Sequence, residues 1–142
     1  MTTAFAIVAL LLGLIVVLGQ LISVIDFRLA QRLGLQEKDE DTEPVYRHLE
    51  LNTARWDVAV SWTLLLTGVA MLVDTSWWPW VALVTGGAHA DAGGREVFKH
   101  LALRAEQIRV GTAAEARTVL RFNALIAAVG FALLGYSLAV VA

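Results

Sequence analysis

Ala4 to Ile25 reads AFAIVALLLGLIVVLGQLISVI, 22 residues without one ionisable side chain. At 1.5 Å per residue a helix of that length reaches about 33 Å, enough for a hydrocarbon core of about 30 Å. A cleaved leader fits poorly, because Met1-Thr2-Thr3 carries no positive side chain and the apolar stretch is roughly twice the hydrophobic region of a signal peptide. The run therefore predicts a retained membrane span.

Working outward, three further apolar runs follow: Val58 to Val73, Trp77 to Ala90 and Val119 to Val141. All eleven Lys and Arg residues fall into two stretches, Arg28 to Arg55 and Arg95 to Arg121. A chain crossing at each run places both basic stretches on one face, which the positive-inside rule makes the cytoplasm, with both termini outside. The expectation is an all-α integral membrane protein of a bacterial or archaeal cytoplasmic membrane. Residues 1–142 form a single domain of four transmembrane helices with cytoplasmic helical extensions, near 4–33, 43–73, 77–109 and 113–141.

Composition agrees. Hydrophobic residues make up 58% and charged residues 17% of the chain, too apolar for a water-soluble domain of this size. A formal net charge of −2 leaves no basic face for nucleic acid. The absence of cysteine excludes disulfides, thiolate metal sites and Cys nucleophiles.

Capping residues place the helix ends. Gly34 after Gln31-Arg32-Leu33 terminates helix 1 beyond the bilayer, and Gln36 to Asp41 forms an acidic loop. Thr42 and Pro44 start helix 2, on which Val45, Leu49, Asn52 and Trp56 share a face. Asp74-Thr75-Ser76 is the outer loop, and Trp77, Trp78 and Trp80 around Pro79 mark the outer interface. Helix 3 meets Gly86-Gly87 and Gly93-Gly94. If it continues, Gly86, Ala90 and Gly94 make a small-residue ladder, joined by Ala124/Ala128 and Gly135/Ala139 on helix 4. If it breaks, Arg95 to Arg109 becomes an interfacial helix with Val97, Phe98, Leu101, Ala105 and Ile108 opposite Lys99, His100, Glu106 and Gln107. Gly111 ends this segment, and Thr112 with Glu115 forms a capping box for helix 4.

The four helices deliver polar residues to one level, near the cytoplasmic boundary. The candidates for an ion pathway or ligand site are Asp26, Asn52, Arg55, Asp57, His89, Asp91, Arg121 and Asn123, because ionisable groups beside hydrocarbon face partners or a hydrated interior. Pairs such as Asp57 with Arg121, or Asp26 with Arg55, would satisfy the same demand without function. His89, Glu96 and His100 lie at i, i+7 and i+11 and form a candidate metal set, with Asp26, His48, Glu50 or Asp57 as further ligands. A haem between His48 and His89 or His100 is a further alternative. No HExxH, GxSxG, Walker or dinucleotide motif occurs. A purely structural collar is the competing reading: Asp26 to Asp57 holds eight acidic and five basic residues, and Asp91 to Arg121 four acidic and six basic, so the segments attract.

The layout is similar to that of the small four-helix glutathione-dependent membrane enzymes, which share a long first span with trailing arginines and a polar approach to the second span. Arg47, Asn52, Arg55 and Asp57 occupy that approach here. The spacing is shifted, Arg55 stands in place of a glutamate, the proline is missing and the segment between helices 3 and 4 is longer. The likeness is one of layout without the motif.

Three functions remain open: an oligomeric ion or small-solute permeation protein with a polar cytoplasmic mouth; a membrane-embedded metal-dependent or glutathione-type enzyme acting on an amphipathic substrate; and an accessory subunit of a larger membrane complex. The clustering of polar residues and the lack of a catalytic motif favour the first. The expected partners are the lipid bilayer and further copies of the chain or a larger membrane complex.

Overall fold

A computed structural model describes residues 1–142 as five α-helices: α1 (Thr2–Ile25), α2 (Phe27–Arg32), α3 (Pro44–Leu72), α4 (Trp78–Ala105) and α5 (Ala113–Val141). Two of them, α1 and α5, are long and apolar enough to cross a membrane.

The expected first helix is two. Asp26 takes an extended conformation (φ −142°, ψ 92°) and its Oδ1 accepts the Leu29 N–H at 3.0 Å, so it terminates α1 and caps α2. Aspartate competes for backbone N–H groups, which favours a new helix start over continuation. Gly34 (φ +71°) closes α2, where the Leu35 N–H donates to the Ala30 carbonyl. The third expected helix is continuous through both glycine pairs, so no separate interfacial helix forms. It stops at Ala105 rather than Arg109, where Gln107 turns left-handed (φ +60°). Pro44 and Pro79 sit in first turns, and the Thr112/Glu115 capping box is complete.

The long helices form two antiparallel pairs in which backbones nearly touch. Between α1 and α3, a Cβ on Gly68 would lie 2.9 Å from the Ala6 carbonyl oxygen. Between α4 and α5, a Cβ on Gly86 would lie 2.6 Å from the Leu134 nitrogen, and one on Gly93 2.5 Å from the Asn123 oxygen. The ladder is therefore Gly86, Ala90 and Gly93 against Asn123, Ala127, Gly130 and Leu134. Gly94 and Gly135 face open space, and Ala124, Ala128 and Ala139 are exposed, which corrects the expected stripes.

The pairs meet through side chains. At the end near the α3–α4 turn, Tyr136 stacks on Phe5 (4.7 Å) and Trp78 (5.7 Å), and its hydroxyl hydrogen-bonds Thr2 at 2.6 Å. An apolar core including Leu12, Val16, Leu64, Ile126 and Leu133 follows. Within it the Thr67 hydroxyl donates to Thr85 at 2.9 Å, joining α3 to α4. At the far end the two charged segments clasp: Glu43 N–H donates to the Arg109 carbonyl, Gly111 N–H to the Asp41 carbonyl, and Arg109 pairs with Glu43 at 2.9 Å.

Candidate functional site: a polar cavity between the helix pairs

Between the pairs, at the collar end, α3 turns polar side chains inward. Tyr46, Glu50, Asp57 and Ser61 follow one another at helical spacing on the inner face, whereas Val45, Leu49, Asn52 and Trp56 are exposed. On α4 the same inversion holds: His100 is fully buried and Phe98 is 73% exposed. An interior of this kind needs internal partners, because an unpaired polar group removed from water costs several kcal/mol.

These side chains enclose two adjoining cavities. The larger, about 280 Å³, is lined among others by Gln20, Glu37, Glu50, Asp57, Glu96 and Asn123. The smaller, about 210 Å³, shares Asp57, Glu96 and Asn123 and adds Ser61, His89 and Asp91. Lys99 braces the wall, its ammonium donating to Glu50 at 2.9 Å and to Glu96 at 2.5 Å. Gln20 on α1 donates to Asp57 on α3 at 3.1 Å, and Gln36 donates to Ser23 at 3.2 Å.

Burial and the Lys99 pairs with Glu50 and Glu96 set the electrostatics. Burial raises Glu37 to about 7, helped by the charges of Glu50 and Glu115 and opposed by a backbone hydrogen bond and the Tyr46 hydroxyl. Burial also raises Glu50, against the pull of Lys99. Lys99 shows the opposite balance: burial lowers its pKa, but Glu50 and Glu96 together outweigh that and raise it, so it stays charged. Tyr46 donates to Glu37 at 3.2 Å and stands edge-on to His100, with ring centroids 5.6 Å apart. Burial, and then the nearby Lys99 charge, lower the His100 pKa, which keeps that ring neutral.

Of the expected site residues, Asp57, His89, Asp91 and Asn123 reach the cavities. Asp26 is the exposed cap of α2, Arg55 bonds Asn52 on the exposed face of α3, and Arg121 is exposed. Neither expected ion pair forms: Asp57 accepts from Gln20, while Asp26 accepts the Leu29 N–H and Arg55 donates to Asn52.

The metal set does not converge. His89 Nδ1 bonds the Thr85 carbonyl, Glu96 is taken by Lys99, His100 Nε2 faces Tyr46, and no three His, Asp or Glu side chains come together to hold an ion. His48 is exposed on α3 while His89 and His100 are buried on α4, so a haem-type pair is not presented either.

Sequence reasoning missed Gln20, Gln36, Glu37, Tyr46 and Lys99. Gln20 carried a signal, as the only carboxamide in the Ala4–Ile25 run, where a polar side chain is costly unless it faces the interior. Glu37 carried none, being one acid among several in a charged loop. No protein-family model, curated protein or solved structure matches the chain.

Proposed function

We propose that α1, α3, α4 and α5 all cross a cytoplasmic membrane with both termini outside, and that the protein passes a small solute through the cavity between its helix pairs. The four-span arrangement is supported by position. The apolar half of α3 packs along α1, the first half of α4 packs along α5, and Trp62, Val69, Val73, Trp80 and Val84 present apolar surface at that level. Exposed to water, such surface would be a liability; in lipid it is solvated.

The observation that carries the solute reading is a polar, acid-lined cavity at the collar end beneath the Phe5–Tyr136–Trp78 stack that closes the other end. A pathway protein needs a site reached from one side and closed on the other. Asp57 is the pivotal residue, because it lines both cavities and links α1 to α3 through Gln20. The acidic lining speaks against a glutathione-type enzyme, whose substrate is an anion, since acids outnumber bases in the cavity wall and offer an anion no free cation. Association into a homo-oligomer or a larger membrane complex belongs to the same proposal and is measured as detergent-free mass.

Proteoliposomes test the reading. A panel of protons, alkali cations and small amines is scored for flux against empty vesicles. The native protein should conduct at least one, and Asp57→Asn should cut that flux about tenfold, the equivalent of one charge-assisted hydrogen bond at about 1.4 kcal/mol. Flux indistinguishable from empty vesicles throughout removes the proposal.

A further inference from the structure

Two buried atoms of the cavity walls that lack any partner, His89 Nε2 and Gln20 Oε1, are positioned as hydrogen-bond acceptors. His89 is 3% exposed, and its Nδ1 lies 2.9 Å from the Thr85 carbonyl. A carbonyl accepts only, so in the neutral ring Nδ1 carries the proton and Nε2 offers a lone pair. That Nε2 is buried and no protein group donates to it. Gln20 turns one amide N–H to Asp57, leaving Oε1 buried and likewise without a donor. Asn123 turns one amide N–H to the Val119 carbonyl at 3.1 Å, and its oxygen and second N–H stay available at the cavity wall.

Asp57, shared by both cavities, adds an anionic acceptor. The nearby cations are committed elsewhere: Lys99 to Glu50 and Glu96, and Arg95 to Asp91 at the exposed rim. Ser61 can serve as donor or acceptor. Buried acceptors without donors are rare in native structures, and here one lines each of two adjoining cavities that share the Asp57 carboxylate, a setting whose complement is a cation rich in N–H groups.

We infer that the cavity binds a protonated primary amine or ammonium-type monocation, held by His89 Nε2, Gln20 Oε1 and Asp57. The inference rests on the solute-passage reading for its physiological meaning and deepens it by naming the solute class. A divalent metal is a poorer match, because the carboxylates do not group around one point and Glu96 is already neutralised by Lys99. A quaternary ammonium has no N–H to give and is recognised by an aromatic cage, which these acceptors do not form.

The test is made in detergent, without a gradient. Methylammonium, tetramethylammonium, sodium and potassium are titrated into purified protein by calorimetry, with melting temperature confirming that each variant is folded. Methylammonium should bind saturably and at least tenfold more tightly than the other three. Gln20→Met and His89→Phe should each weaken it about tenfold, and His89→Gln, which restores an acceptor, should recover part of the loss. Equal binding of methylammonium, tetramethylammonium and potassium would reduce the site to unspecific charge and overturn the inference, as would unchanged affinity in both folded variants. No methylammonium binding together with intact flux of another solute sinks this inference and spares the solute-passage reading. Binding without any flux does the reverse.

Discussion

Within each helix pair the backbones touch, and between the pairs only side chains meet. The seam between α4 and α5 is closed by Gly86, Gly93 and Gly130, none of which has room for a methyl group, and Gly13 and Gly68 do the same between α1 and α3. Between the pairs stand an aromatic stack, a threonine bond and then a polar cavity. The division separates two tasks. Close packing makes each pair a stiff unit, since interiors at crystal-like density tolerate little change in volume. The looser inter-pair surface holds the buried titratable groups.

Overfilling a seam is the strongest way to break this contrast. A Cβ on Gly130 would collide with the Ala90 backbone nitrogen, whereas Gly94, on the outer side of the same helix pair, meets nothing within 4 Å. Gly130→Leu should therefore cost about 3 kcal/mol or more and lose the folded state in detergent, while Gly94→Leu stays within about 0.5 kcal/mol of the native protein. Thermal unfolding of the two variants checks it, and similar melting temperatures would dissolve the distinction between seam and surface.

Next in size is the brace across the cavity. Lys99→Met removes the only cation between Glu50 and Glu96, whose side chains are 14% and 17% exposed. Leaving two partly buried carboxylates uncompensated should cost about 3 kcal/mol at pH 8, and much of the loss should return at pH 5, where the acids can take protons instead. A variant as stable as the native protein at pH 8 would mean that the cavity is wetter than its walls suggest.

An effect that vanishes at low pH sharpens the electrostatics of the cavity floor. Glu37 is pushed up from 4.5 to about 7, chiefly by burial. Between those values the folded chain holds a proton that the unfolded chain has released. Its contribution is thus complete below pH 4.5, falls as pH rises, and is lost above 7. Glu37→Gln stays neutral throughout and should equal the native protein at pH 4.5 but exceed it by about 3 kcal/mol at pH 8. Parallel melting profiles for the two proteins across that window would place Glu37 in solvent.

What the sequence made legible follows the same division. Helix ends were readable because their chemistry is local: Pro44, Gly34, Gly111 and the Thr112/Glu115 box each satisfy backbone groups within a few residues. The break at Asp26 was missed because an uninterrupted apolar run followed by arginines masks a single capping aspartate. The collar read inside out. Val45, Leu49 and Trp56 form a regular apolar stripe that would be the buried face of a water-soluble helix, yet they point outward, and Tyr46, Glu50 and Asp57 point in. Periodicity reports that a helix has two faces and leaves open which one is solvated.

The seam shows the same limit at finer grain. Gly93 and Gly94 are neighbours in sequence, but one step along a helix is a turn of about 100°, and only Gly93 faces α5. Distant pairings such as Gln20 with Asp57 depend on how α1 and α3 register and leave no local trace.

The four-span arrangement is the premise of everything said about solute passage, and Ser76 decides it. With four spans, Ser76 in the α3–α4 turn lies on the same side as Thr3 and Ala142, opposite Lys38 and Glu106. With only α1 and α5 crossing, it lies with Lys38 and Glu106. All five positions are exposed, and the chain has no native cysteine to remove. Single cysteines at these positions are labelled with a membrane-impermeant maleimide on intact cells and again after permeabilisation. The account predicts that Ser76→Cys labels with Thr3→Cys and Ala142→Cys; labelling with Lys38→Cys and Glu106→Cys would contradict it.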